Sequence, residues 1–314
     1  MNLKRALGVE GVAFIAVLVI SVAPASAQTR IGNRVFLHTI FLGEPGVGDD
    51  LTVPSYSWSK EANGTPSTTY SASLSKRITE NIGVVISEPT WTRTGPIEGF
   101  QNLVTALKYM PVTSVEHEMM MCLGLQVEWG DTGTKSFGVN SFSTITPQLY
   151  IGKGFGDLPE SLSFLRPLAF TAQFGVALPA KPNTSGDPLV VTGGATIFNW
   201  NMSLQYSSEQ LSISGARISP LVEASFNTPV ANPLPGQDIT TGTISSGVAV
   251  SFPGGFQLTT EAVFPINSLS GRGVGVVASL TFTFGELFPQ TLGKPLFQSH
   301  SSTSAEPVNI WQRR

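Results

Sequence analysis

Residues 198–206 read FNWNMSLQY. Every second residue (Phe198, Trp200, Met202, Leu204, Tyr206) is apolar or aromatic. The residues between them (Asn199, Asn201, Ser203, Gln205) are polar and uncharged. A period of two sends successive side chains to opposite faces of a β-strand, so this stretch has one greasy face and one polar face. Which of the two meets water decides the fold.

The alternation recurs along the chain. In MCLGLQVEW (121–129) the apolar set is Met121, Leu123, Leu125, Val127 and Trp129. In LAFTAQFGVAL (168–178) it is Leu168, Phe170, Ala172, Phe174, Val176 and Leu178, and in VGVVASLTFTF (274–284) it is Val276, Ala278, Leu280, Phe282 and Phe284. Weaker versions cover 34–42, 68–78, 82–93, 99–110, 142–154, 217–227, 240–252 and 256–266. The total is twelve candidate strands. Most exceed the roughly 5–6 residues usual in soluble proteins. The connections fall into two sets. Compact turns are read at TEN (79–81), PVTS (111–114) and PGG (253–255), with longer members near 155–164 and 209–216. The other set (43–67, 94–98, 131–141, 180–194, 228–239 and 267–272) is mostly longer and rich in Gly, Pro, Ser and Asp. Turns at one end and larger loops at the other describe an up-and-down meander.

Composition decides between the two faces. Only 12% of residues are charged, about half the ~25% of soluble domains, and the mean hydropathy is +0.15. The wet face of a soluble sheet carries Lys, Glu, Arg and Asp, whereas here the polar faces are mostly Ser, Thr, Asn, Gln and Gly. A membrane barrel inverts the soluble arrangement, with apolar residues toward lipid and small polar residues toward the lumen. Closure also leaves no unpaired edge in lipid. Tyr109, Trp129, Trp200, Tyr206 and Phe284 near strand ends suit interfacial girdles. The expectation is an all-β fold: a transmembrane up-and-down antiparallel β-barrel of about twelve strands, its greasy faces on lipid. An even count puts both barrel ends on one side, the periplasmic one.

The ends of the chain add an address. Lys4 and Arg5, the apolar run Val12–Val22 and the small residues Ala25-Ser26-Ala27 form the layout of a secretory signal peptide. The expected organisation is a signal peptide at 1–27, an outer-membrane barrel at 28–284 and a periplasmic tail at 285–314, the tail either a disordered extension or docked on the rim through Leu287, Phe288, Leu296 and Phe297. The net charge of −3 carries no basic footprint, so nucleic acid is not an expected partner. Cys122 is the single cysteine and provides no disulfide framework.

GFQNLVTALKY at 99–109 resembles the Gly-Phe-Gly-Asp-Leu and Leu-Lys-Tyr strand of a family of outer-membrane barrels named for the meta-pathway of phenol degradation. NIGVVISEPTW (81–91) and GFGDLP (154–159) add to the likeness, which runs loosely over 65–284. Gln101 and Asn102 stand where that family often has Gly and Asp. The resemblance implies a channel for hydrophobic or aromatic compounds.

The sequence names no catalytic constellation. The histidines are His38, His117 and His300; His117-Glu118 starts an HExxH-like string, but Met121 replaces the second His. No GxSxG elbow occurs, and the Gly runs GKGFGD and GRGVGVV are not followed by helices. Neither a cofactor nor a metal ligand is expected. What remains is the lumen, toward which the strand phase points Lys108, Gln126, Glu128, Gln148, Gln173, Asn199, Asn201, Gln205, Glu223 and Glu261. Two readings of these residues stay open: a polar pathway with an acidic bias, or a filled interior in which they satisfy one another. The expected partners are outer-membrane lipid and small hydrophobic solutes; oligomeric state is not legible. A passive channel, a non-conducting structural or loop-presenting barrel, and a secreted β-sandwich binding module are the three functions in play.

Overall fold

The computed structural model describes residues 29–297, apart from Asn33, Glu88, 186–189, 208–210, Ser214 and Pro235. The signal-peptide expectation, His300 and the last part of the tail lie outside the described residues.

Twelve antiparallel strands close into a barrel. They are β1 (Asp50–Lys60), β2 (Pro66–Arg77), β3 in two pieces (Ile82–Ser87 and Thr90–Thr94), β4 in two pieces (Ile97–Phe100 and Val104–Ser114), β5 (Met119–Glu128) and β6 (Thr144–Gly154). The circuit continues with β7 (Leu168–Pro179), β8 (Thr196–Tyr206), β9 (Ala216–Ala231), β10 (Thr241–Phe252), β11 (Phe256–Pro265) and β12 (Gly275–Thr283). Each pairs with its chain neighbour, and β12 returns to β1 with Thr283 opposite Asp50 and Val276 opposite Trp58. Closure removes both sheet edges. Among the described residues helix is confined to the short pieces Lys135–Phe137, Glu160–Leu165 and Phe284–Leu287.

The greasy face of FNWNMSLQY points outward. Ser203 and Gln205 are each 1% exposed, whereas Leu204 between them is 43% exposed. The same phase holds around the wall: Leu123, Leu125, Val222, Ile244, Leu258, Phe264 and Val276 are exposed, while Thr171, Ser219, Ser245, Thr259 and Thr281 are buried. Aromatic rings meet across neighbouring strands on the outer surface. Trp200 stacks on Phe226 at 4.2 Å, Tyr70 lies 5.3 Å from Tyr56 and 6.0 Å from Trp91, and Phe256 meets Phe282 at 5.3 Å. Such cross-strand pairs pin the register.

Three sequence expectations need correction. The alternating stretch 34–42 is not a wall strand: it lies inside the barrel, and both its faces are covered. The first strand is instead Asp50–Lys60, within the stretch 43–67 expected to be a loop. A register shift between Thr52 and Ser55 explains why the pattern hid it. Leu51 pairs outward with exposed Leu74, but after the shift Tyr56 pairs outward with exposed Tyr70, so the greasy face passes from odd to even numbers. Pro111, expected in a turn, sits at a second such shift inside β4, between Tyr109 and Val112. Proline is tolerated there because a bulge needs no ladder donor.

Phe284 differs from expectation too. It does not close the outer girdle; it is buried, its N–H donates to Asp49 O at 2.8 Å, and it opens the turn Phe284–Leu287. The following residues lie on the rim. Leu296 N and Phe297 N donate to Arg77 O and Ile78 O at 3.2 and 2.8 Å. The side chains of Leu296 and Phe297 remain exposed, so the rim is held by backbone rather than by the docking of these two apolar groups.

Candidate functional site

The core of this molecule is the lumen, filled by the described residues of the segment 29–49. Ile31 and Phe36 pack on Met120 and Ala169; Val35 and Leu37 pack on Leu221 and Ala249; Leu42 and Val47 pack on Cys122 and Tyr150. Burial of these side chains removes apolar surface from water on both partners, the largest favourable term available to an inserted segment. Gly152 makes room for it, since a Cβ there would lie 3.0 Å from Phe36 Cε1 and 2.8 Å from Met120 Cε.

Polar side chains of the wall then satisfy the backbone of the segment, which pairs with no strand of the wall. Gln205 Oε1 accepts from Leu37 N at 3.0 Å, and Gln205 Nε2 donates to Val35 O at 2.7 Å. Glu223 Oε2 accepts from Ile40 N and Phe41 N at 3.1 and 3.2 Å. Gln257 Nε2 donates to His38 O at 2.6 Å, and Lys108 Nζ donates to Glu44 O while lying 4.2 Å over the Tyr150 ring. Arg34 binds Glu118 at 2.9 Å and the carbonyls of Arg166 and Pro167. Buried backbone groups must find partners somewhere, and here the lumen supplies them.

Of the ten lumen residues named from the sequence, Lys108, Gln205 and Glu223 therefore hold the inserted segment. Glu261 stands behind Glu223 and accepts from Ser245 Oγ. The other six gather at the far end. Gln126, Glu128, Gln148, Gln173, Asn199 and Asn201 line a cavity of about 400 Å³ whose floor is Phe41, Leu42 and Gly43. Their amides engage each other: Gln148 Nε2 donates to Gln126 Oε1 at 3.3 Å, Asn201 donates to Gln173, and Tyr150 OH donates to Gln148 Oε1 at 2.9 Å. Glu128 accepts from Asn102 at 2.9 Å. This vestibule opens at the end bearing the loops 129–143, 180–195 and 232–240, opposite Asp50 and Thr283.

Below the vestibule the inserted segment covers much of the inner wall, where Thr52, Ser75, Lys108, Cys122, Thr171, Gln205, Glu223, Ser245, Thr259 and Thr281 are buried.

One grouping went unseen in the sequence. His38, Glu44 and Asp50 converge inside the barrel, with one potential ligand atom from each lying within 4.8 Å of the other two. Their spacing matches no metal motif, because Glu44 and Asp50 meet only where the inserted segment turns into β1. Gly48 permits the approach: a Cβ there would stand 2.7 Å from Asp50 Oδ2 and 3.2 Å from Glu44 Cγ.

No protein-family model and no curated protein matches the chain. Among solved structures it is similar in fold to the KdgM porin (TM-score 0.46, 9% identity, covering 74% of this chain and 98% of that one). It is similar also to the NanC porin (TM-score 0.46, 8% identity, covering 74% and 98%). An outer membrane channel from Pseudomonas putida F1 aligns with a TM-score of 0.48 and 12% identity, over 84% of this chain and 100% of that one. At these identities the likeness is one of fold alone.

Proposed function

We propose that this chain is an outer-membrane barrel serving as a narrow route for small solutes, held shut in its resting form by residues 29–49. The observation that carries this reading is the pairing of an apolar outer belt with a polar vestibule that ends on Phe41, Leu42 and Gly43. A sandwich module would bury its greasy faces, and this fold presents them outward. In a barrel of the outer membrane that belt faces lipid and the lumen faces water. The vestibule amides suit neutral or weakly polar solutes, with Glu128 as the one carboxylate among its described lining residues. The family resemblance supports hydrophobic or aromatic compounds as the cargo, which would require the inserted segment to give way.

A second reading is supported by the burial of inward residues beneath the inserted segment: a non-conducting barrel that presents its loops. Conductance in planar bilayers separates the two. A channel shows rare, discrete openings that become frequent when Gln205→Ala loosens the segment. A structural barrel shows none in either protein, and that result would retire the channel reading.

A further inference from the structure

We propose that His38, Glu44 and Asp50 form a binding site for a single divalent transition-metal ion, which fastens the inserted segment to the start of β1. The proposal does not depend on whether the barrel conducts.

The donor set fits such an ion. Imidazole nitrogen with two carboxylates is a recurrent ligand combination for zinc and its first-row neighbours. His38 Nδ1 lies 3.6 Å from Asp50 Oδ1, too far for a hydrogen bond. It is close to the ~3.3 Å ligand separation that tetrahedral zinc with ~2.0 Å bonds requires. Asp50 is 1% exposed, yet neither of its carboxylate oxygens has a hydrogen-bond partner, and His38 Nδ1 has none either. A buried carboxylate with no hydrogen-bond donor, faced only by an imidazole at 3.6 Å, is costly, and coordination of an ion between the two is one arrangement that relieves it.

The surroundings are arranged as a ligand shell needs. The other imidazole nitrogen, Nε2, lies 3.4 Å from Thr52 Oγ1, which bonds Thr281 Oγ1 at 2.9 Å. With Nε2–H donated to Thr52, the Nδ1 lone pair faces Asp50; second-shell bonds of this kind orient metal-binding histidines. Glu44 Oε1 accepts from Thr29 N at 3.1 Å and from Thr29 Oγ1, which leaves Oε2 for an ion. Lys108, the nearby cation, donates to the Glu44 carbonyl and lies over Tyr150. Two carboxylates thus face one lysine, and a divalent cation supplies the missing positive charge.

The ligands also come from two parts of the chain. His38 and Glu44 belong to the inserted segment and Asp50 opens β1, so an ion held by all three couples the segment to the wall and makes its retention metal-dependent.

The test uses the mature chain refolded in detergent after chelator treatment, with Co²⁺ as a spectroscopic probe and Zn²⁺ as a competitor. The chain has three histidines, so the variant H117Q/H300Q leaves His38 as the single imidazole. We expect one Co²⁺ per barrel, with a visible absorption band retained in H117Q/H300Q and displaced by one equivalent of Zn²⁺. Asp50→Asn, close in shape, should weaken binding about tenfold or more. Heat-modifiable migration on SDS gels verifies that each variant is folded. If Asp50→Asn does not fold, the H117Q/H300Q spectrum still decides. Absence of Co²⁺ from H117Q/H300Q, or affinity unchanged in folded Asp50→Asn, overturns the proposal.

Discussion

Gln205 of the wall grips the inserted segment on either side of Phe36, accepting from Leu37 N at 3.0 Å and donating to Val35 O at 2.7 Å. A glutamine amide carries a donor and an acceptor side by side, so it can complete a stretch of backbone much as a neighbouring strand would. Gln205→Leu fills the space and answers neither group. Leaving two buried backbone groups unpaired is expected to lower stability by about 2 kcal/mol, with Gln205→Glu intermediate because it restores only the acceptor. Urea unfolding in detergent, followed by tryptophan fluorescence, measures the loss.

The outward belt can be tested by charge. Leu123, at the middle of β5, is 45% exposed. In water such a residue tolerates substitution. In a bilayer, Leu123→Arg is expected to cost about 2–4 kcal/mol, whereas the same change at exposed Ile97, beyond the middle of the wall, costs about 0–1 kcal/mol. Folding titrations into liposomes compare the two. Equal costs would show that the belt does not face lipid.

Asp49 ties three parts of the rim together. It is 2% exposed and binds Lys76 and Arg77, each at 2.7 Å, while Lys76 and Arg77 reach the carbonyls of Leu292, Gly293 and Lys294. Asp49→Asn should cost about 2–3 kcal/mol, less than a fully buried pair because both cations keep some contact with water. Faster proteolysis within 284–297 is the accompanying sign, read by mass spectrometry of the clipped chain.

A pH effect is expected at the corner after β6. Lys153 Nζ donates to both oxygens of Asp157 at 2.8 Å, and this bond holds the Asp157 carboxyl below the usual aspartate range, with His117 contributing at 3.3 Å. A folded-state pKa below the unfolded value means the contact is fully present above the unfolded pKa of about 3.9. It is lost as pH falls through the lowered value. The site is open to solvent, so salt should weaken it as well. A carbon-13 titration of the Asp157 carboxyl follows the transition, and an unshifted midpoint in Lys153→Met would remove lysine as its cause.

Much of this architecture was legible without coordinates. Strict alternation in 121–129, 168–178, 198–206 and 274–284 assigned those strands and their phase. A two-residue period is a local property of an extended chain, and a phase once set places Gln173, Asn201 or Glu223 inward. The low charge of the polar faces pointed to a lumen for the same local reason. β1 escaped because its bulge at Thr52–Ser55 moves the greasy face from odd to even positions, and a short window then sees no period. Residues 34–42 misled for the opposite reason: RVFLHTIFL has the greasy character of a wall strand, and nothing local states that its surroundings are the inside of the barrel.

The sequence by itself determined that this chain forms long two-faced strands, about how many, and which face of each is greasy, since pattern and composition are written residue by residue. Only the tertiary structure decided what fills the barrel. Residues 29–49 enter the lumen because closure builds a cavity whose inward apolar residues (Met120, Cys122, Tyr150, Leu221) and backbone-binding amides lie far apart in sequence and become one surface only in space. The meeting of His38, Glu44 and Asp50 follows from that same insertion. Contacts of this kind depend on the distance between strands that the chain brings together last, and no period records that distance.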